Sequence, residues 1–272
     1  LLLLTYRVRA RNTSADSENG IHDDTVAAGY GFRGGLVPGV TVYAYMTTPI
    51  VARYGMKWLE RGSMTVRFFE PVYDGDQVVV RAEVPADELP VRASIRAECD
   101  GKTCATATAV IEDSTGMLGE GLPDQYPVVP LPRYDLRPEA TFEAFVPGEP
   151  IGTFSEKLDL CDTSAVESID EKLTFYRGVM AVAHPFTLLG LANKALMSNF
   201  RLGPWIHASS ELVNRSVARD GEVISVRGRI RECFERRGHE FVVLDLLLVA
   251  DQKRIVQRIR HTAIYKPRLE AL

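Results

Sequence analysis

The chain has 272 residues, 46% of them hydrophobic and 25% charged, with a formal net charge of −4. That length suits one or two domains with a sizeable core, and no cofactor is needed to explain folding. The negative balance disfavours a nucleic-acid partner, and no apolar run is long enough for a membrane span, so a soluble cytoplasmic protein is expected.

In chain order, "LLLLTYRVRA" reads as strand lead-in and strand. "ADSENGIHDD", Ala15 to Asp24, follows as an unusually polar stretch. Its residue types suit first of all a capped loop, with Asp23, Asp24 and Thr25 capping Val26 to Tyr30, and secondly an acid/base site around His22. "VPGVTVYAYMTTPIVARYG", Val37 to Gly55, is apolar nearly all round, the pattern of a buried helix that Pro49 should kink or end. Four strands are then predicted: "SMTVRFFEPV", "DQVVVRAEV", "VRASIRAEC" and "TCATATAVI". Most alternate in polarity, as in an antiparallel sheet with one wet face. A stretch rich in proline and glycine, from Ser114 to Pro150, reads as a linker. A second buried helix is predicted over Ala183 to Asn199, followed by "WIHASSELV", "EVISVRGRI", "HEFVVLDLLLVA" and "RIVQRIRHTAIY" as strands.

The two halves are in register. Thr41 and Thr187 differ by 187 − 41 = 146, and Gly75 and Gly221 by 221 − 75 = 146. Asp74-Gly75 and Asp220-Gly221 are turn dipeptides at the same offset as the helices. A whole unit is therefore used twice. The division is 1–115 for the first unit, 116–150 for the linker and 151–272 for the second. Each unit is a strand, a buried helix and four strands, an α+β arrangement in which an antiparallel sheet wraps one helix. Two such sheets side by side form one continuous sheet and hide two edges.

"SENGIHDD" followed by "GFRGGLVPGVTVYAYM" resembles the MaoC-like, or (R)-specific enoyl-CoA hydratase, family in its double-hotdog form. Members show an Asp-x-Asn-Pro-Ile/Leu-His-x-Asp run, a Gly-Phe turn and an Ile/Val-x-His-Gly step into the central helix. Asn19, Ile21, His22 and Asp24 match the run, and Gly31, Phe32 and Gly39 match the rest. "VRFFEPVYDGDQVVV" is similar to the family's strand-turn-strand segment. The chain departs from the pattern at Gly20, where the family has proline, and at Ser17, where it has the catalytic aspartate; Asp16 lies one residue earlier.

The resemblance implies a hydratase or dehydratase acting on trans-2-enoyl or (R)-3-hydroxyacyl thioesters of CoA or a carrier protein. It gives His22 the proton transfers, with Asp16 or Ser17 orienting it or sharing the water and Asn19 holding that water or the ring. Gly39 would present its backbone N–H to the thioester oxygen at the helix N-terminus, with Val37 and Pro38 beside it in the substrate-binding set. A thioesterase using Asp16, Glu18 or Asp24, and a non-catalytic acyl-CoA-binding protein, are the competing readings. Arg11, Arg61 and Arg67 are candidates for the phosphates of a CoA or carrier arm, or ordinary surface charge.

In the second half "LCDTSAVESIDE" stands in the place of the motif. Asp162 falls opposite Asp16 (162 − 16 = 146), but no histidine follows it, so one half is expected to be active and the other degenerate. His184 falls opposite Pro38 (184 − 146 = 38), an echo of the family's helix-start histidine or a second functional residue. His207 and His261 read as satisfied strand residues. No histidine pair has ligand spacing and no two cysteines form a CxxC, so no metal is expected; Cys99 and Cys104 flank a predicted turn, where a disulfide is the alternative to the reduced thiols that better fit a cytosolic protein. A homodimer is expected, although one double-hotdog chain already resembles a dimer of single units.

Overall fold

The computed structural model describes residues 1–85, 91–111, 123–169 and 171–268. Strand β1 (Leu2–Arg9) leads to a 3-10 turn (Gly20–His22) and a short helix α1 (Asp24–Ala28). Helices α2 (Gly39–Tyr54) and α3 (Met56–Arg61) follow, then strands β2 (Ser63–Phe68), β3 (Gln77–Val84), β4 (Val91–Cys99) and β5 (Lys102–Ile111). The second half repeats the plan with β6 (Pro150–Lys157), α4 (Ser164–Ser168), α5 (Pro185–Asn199), β7 (Ile206–Asn214), β8 (Val223–Arg236), β9 (His239–Ala250) and β10 (Arg254–Lys266). Residues 123–149, the described part of the expected linker, hold no strand and only two short 3-10 turns. The linker's last residue, Pro150, opens β6, and residues 116–122 lie outside the described residues.

All ten strands form one antiparallel sheet in the order β1-β3-β4-β5-β2-β7-β10-β9-β8-β6. The seam between the halves is the β2–β7 pair, with Val66 opposite Ser210. Each half would otherwise expose one of these strands as an edge, and pairing them satisfies both rows of backbone groups.

The repeat holds at the level of single hydrogen bonds. Val37 N–H donates to Val72 O and Ala183 N–H to Ala218 O, each at 2.8 Å, with 183 − 37 = 146 and 218 − 72 = 146. Gly75 and Gly221 sit at φ 81° and 77°, the left-handed conformation that the two Asp-Gly turns require.

Helix α2 packs on α5 and against β1, β3, β4, β5 and β7. Tyr43, Tyr45, Met46 and Ile50 are each 1% exposed or less, so the helix is buried on every side. Burying each such side chain contributes on the order of 1.5–3 kcal/mol. That packing carries the helix through Pro49 to Tyr54, where local propensity alone predicts a kink or stop. Proline removes one ladder donor, and the surrounding contacts outweigh the loss. The helix begins at Gly39, two residues later than the sequence suggests, because Pro38 is extended at φ −55° and ψ 138° and serves as the N-cap. Among the described residues no helix is long and apolar enough to cross a membrane. All four cysteines are free thiols.

Candidate active site

The polar stretch folds into two parts with different fates. Asp23 Oδ1 accepts the Val26 N–H at 2.9 Å and caps α1, as the capping reading expects. Asp24 Oδ1 accepts the Gly35 N–H at 2.7 Å and draws the following turn back across the motif. That return is tight: a Cβ on Gly35 would lie 2.0 Å from the His22 carbonyl oxygen, so only glycine fits there. The same carbonyl accepts Asn12 Nδ2–H at 2.8 Å. His22 is thus held through its backbone from two directions.

The His22 ring is fixed as well. Nδ1 lies 2.7 Å from the Leu36 carbonyl, which can only accept, so Nδ1 carries the proton and Nε2 keeps its lone pair. Burial pushes the ring's pKa below its ordinary value, partly offset by the Leu36 carbonyl. The imidazole is therefore neutral at pH 7, with Nε2 as a base.

Asn19 is buried and uses its amide fully. Oδ1 accepts from Trp205 N–H at 3.0 Å and Ile21 N–H at 3.3 Å. Nδ2 donates to Trp205 O at 2.9 Å and lies 3.3 Å from His22 Nε2. Trp205 immediately precedes β7, so the second half clamps the motif of the first.

Asn19, His22, Val37, Pro38 and Gly39 line one cavity of about 340 Å³, together with Phe32, Val42, Phe68, Trp205 and His207. The exposed residues Glu70 and Arg268 also belong to the lining. Gly39 opens α2, and the first N–H groups of a helix have no partner within it, so its amide is available to an oxygen in the cavity.

Asp16 and Ser17 do not join this group. Both are exposed, and neither lines the cavity. Ser17 N–H closes a turn onto Ser14 O at 3.0 Å, and Ser17 Oγ reaches Asn19 O at 3.4 Å. The turn carries residues 14–18 over the surface before the chain dives in at Asn19. Glu18 is taken up by the Tyr134 hydroxyl and by Arg137, 3.4 Å away. Arg11, Arg61 and Arg67 are exposed and outside the cavity. Arg67 instead lines a polar groove on the sheet with Arg81, Arg92 and Arg96.

The two strand histidines depart from the satisfied pair expected. His207 Nε2 lies 2.8 Å from Ser210 Oγ, which lies 3.1 Å from His261 Nδ1. His207 Nδ1 and His261 Nε2 are buried without a hydrogen-bond partner among the described residues. Alternation along a strand would put positions 207 and 210 on opposite faces. The β7–β10 register slips between Ser209 and His207, a bulge at Ala208 that turns His207 to the same side as Ser210. No alternation pattern reveals such a bulge, so the group was not readable from the sequence.

The second half holds an acid–histidine pair of its own. His184 caps α5, with Nδ1 accepting the Phe186 N–H at 3.1 Å and Nε2 3.0 Å from Glu171 Oε2. Both side chains are 2% exposed. Every ring nitrogen is occupied, and neither residue lines the cavity that holds His22. Asp162 is exposed and accepts the Ser164 N–H at 2.9 Å, just ahead of α4.

The sequence matches no family model and no curated relative. Solved structures match over nearly the whole chain. A protein assigned to the MaoC domain dehydratases of Chloroflexus aurantiacus superposes with a TM-score of 0.68 at 9% identity, covering 98% of this chain and 95% of the other. A conserved Mycobacterium tuberculosis protein with a double hotdog fold gives 0.65 at 14% identity, with 97% and 95% covered. The chain is a double hotdog. A Thermobifida fusca protein assigned as a thioesterase II gives 0.53 at 15% identity, with 96% and 91% covered. Proteins assigned as a dehydratase and as a thioesterase thus superpose on the same chain, and the likeness shows the fold rather than the activity.

Proposed function

We propose that this double hotdog is a hydratase or dehydratase of acyl thioesters, interconverting a trans-2-enoyl thioester and its 3-hydroxyacyl form. The observation that carries the reading is His22: a neutral imidazole, locked at Nδ1 and 3.3 Å from Asn19 Nδ2 at Nε2, in the wall of the cavity that also contains the N-terminus of α2. Nε2 takes a proton from water as the oxygen attacks C3. The electrons of the double bond move toward the thioester oxygen, which gains enolate charge beside the Gly39 N–H. The His22 imidazolium then returns a proton to C2. One water is added, and His22 ends in its starting form.

Asp16 and Ser17 take no direct part in this scheme. Asn19 positions the motif against Trp205 and lies beside Nε2. The thioesterase reading needs a carboxylate or activated water at the thioester carbon. Asp16 is exposed, Glu18 is engaged at the surface and Asp24 is spent on Gly35, so the three carboxylates proposed for it are elsewhere.

The test offers crotonyl-CoA and longer trans-2-enoyl-CoAs and follows loss of the conjugated absorbance. Saturated acyl-CoAs are offered in parallel, with free thiol as the readout. Absorbance loss abolished by His22→Ala is expected. Thiol release alone would replace the reading with a thioesterase, and calorimetric binding with neither signal would replace it with an acyl-CoA-binding protein.

A further inference from the structure

The three heavy atoms nearest to a Cβ built on Gly39, at the start of α2, all belong to His207. A Cβ built on Gly39 would sit 2.9 Å from His207 Nδ1. That nitrogen is buried and has no hydrogen-bond partner among the described residues. His207 lines the ligand-sized cavity, and a buried polar atom left unpaired costs stability, so an orphan within that wall points to a ligand atom that completes it.

We infer that His207 is the second hydrogen-bond donor to the thioester oxygen, acting beside the Gly39 N–H, with Ser210 and His261 as positioning residues that set its tautomer. This rests on the acyl-thioester reading above and adds to it a catalytic residue from the second half of the chain.

Ser210 has one proton and lies between two ring nitrogens. Two arrangements satisfy it. In one, His207 Nε2–H donates to Ser210, whose hydroxyl donates to His261 Nδ1. In the other, His261 Nδ1–H donates to Ser210, whose hydroxyl donates to His207 Nε2. The second leaves His207 with its proton on Nδ1. An oxygen seated on the Gly39 N–H is an acceptor next to Nδ1 and selects the second arrangement. No proton is transferred to substrate; the ring acts as a neutral donor whose partner strengthens as enolate charge grows. All three side chains are shielded from solvent, at 6%, 1% and 0% exposure for His207, Ser210 and His261, so the donor needs little reorganisation. Burial, with His261 close by and partly offset by the Ser209 backbone, also keeps the His207 ring neutral.

The experiment reads the carbonyl directly. Butyryl-CoA labelled with 13C at the thioester carbonyl has no double bond to hydrate, and isotope-edited infrared spectra give its C=O stretch when bound. The intact protein should lower that frequency, and His207→Ala should lose most of the shift while still binding. On crotonyl-CoA, kcat should fall about 10²–10³-fold in His207→Ala with KM changed far less. Ser210→Ala keeps both rings and frees the tautomer; it should give an intermediate shift, and it carries the comparison if His207→Ala does not fold.

An unchanged carbonyl frequency in the bound variants overturns the assignment. If that occurs with normal hydration of crotonyl-CoA, the hydratase reading survives without it. If the shift depends on His207 in a protein that hydrates nothing, the assignment stands and the hydratase reading falls. Failure to bind butyryl-CoA overturns both.

Discussion

Alanine at position 39 is the sharpest structural test of how the helix start and the second half fit together. Its Cβ would meet three atoms of one ring: His207 Nδ1 at 2.9 Å, Cβ at 3.1 Å and Cγ at 3.2 Å. The ring has little room to retreat, with Ser210 bonded to its far nitrogen at 2.8 Å and the Phe68 and His261 rings 4.8 and 4.4 Å away, centre to centre. Forcing a methyl into a packed site costs about 1–3 kcal/mol. Alanine's better helix propensity returns at most about 1 kcal/mol. Gly39→Ala should therefore destabilise by roughly 1–2 kcal/mol net. Urea unfolding of the parent, Gly39→Ala, His207→Ala and the double variant forms a thermodynamic cycle. Removing the ring removes the clash but keeps the propensity gain, so the double variant should lose about 1–3 kcal/mol less than the sum of the singles. Additivity to within about 0.5 kcal/mol, or a Gly39→Ala protein as stable as the parent, would refute the reasoning that the ring and the helix start compete for one space.

His22→Ala should lower turnover of trans-2-enoyl-CoA about 10²–10⁴-fold with the circular dichroism spectrum unchanged. Asp16→Ala and Ser17→Ala should each alter kcat by less than about twofold, the ordinary result for exposed side chains away from the chemistry; a large loss at either would bring that residue back into the site. Acid should destabilise the fold through its buried imidazoles. His261 is pushed down to about 4 by burial, against 6.5 when free, so the unfolded chain binds the extra proton first. Its contribution is full above 6.5 and is lost as the pH falls toward 4, an effect of roughly 3 kcal/mol from 1.36 kcal/mol per unit. His22, His184 and His207 are shifted in the same direction. Urea midpoints from pH 7 to 4 should fall steadily, and His261→Phe should flatten that slope. Glu171→Ala should cost about 1–3 kcal/mol in thermal or urea unfolding by leaving the buried His184 Nε2–H without its acceptor, with turnover at His22 largely preserved.

The sequence carried the fold a long way because the fold is written twice in it. Two all-apolar helices, two Asp-Gly turns and the 146-residue offset fix the order of elements, and every predicted strand after the helices is present. Amphipathic alternation and turn chemistry are local physics, and they survive in the tertiary structure wherever packing agrees with them. Pro49 marks where packing overrode local preference: a helix buried on all sides outweighs one lost hydrogen bond.

The site was legible only in part, and the boundary between the two parts has a physical cause. His22, Asn19 and Gly39 were readable because motif spacing along one chain segment brings them together. The exposure of Asp16 and Ser17 was not, since it depends on how a surface turn enters the core at Asn19. His207, Ser210 and His261 lie far from the motif in sequence, and they share one cluster because a bulge at Ala208 breaks the two-residue period of β7. Sequence by itself determined the repeat, the helices, the strands and the histidine at the helix mouth. Only the tertiary structure decided which half faces that histidine, because contacts across the seam are set by strand register and a one-residue slip turns a side chain to the other face.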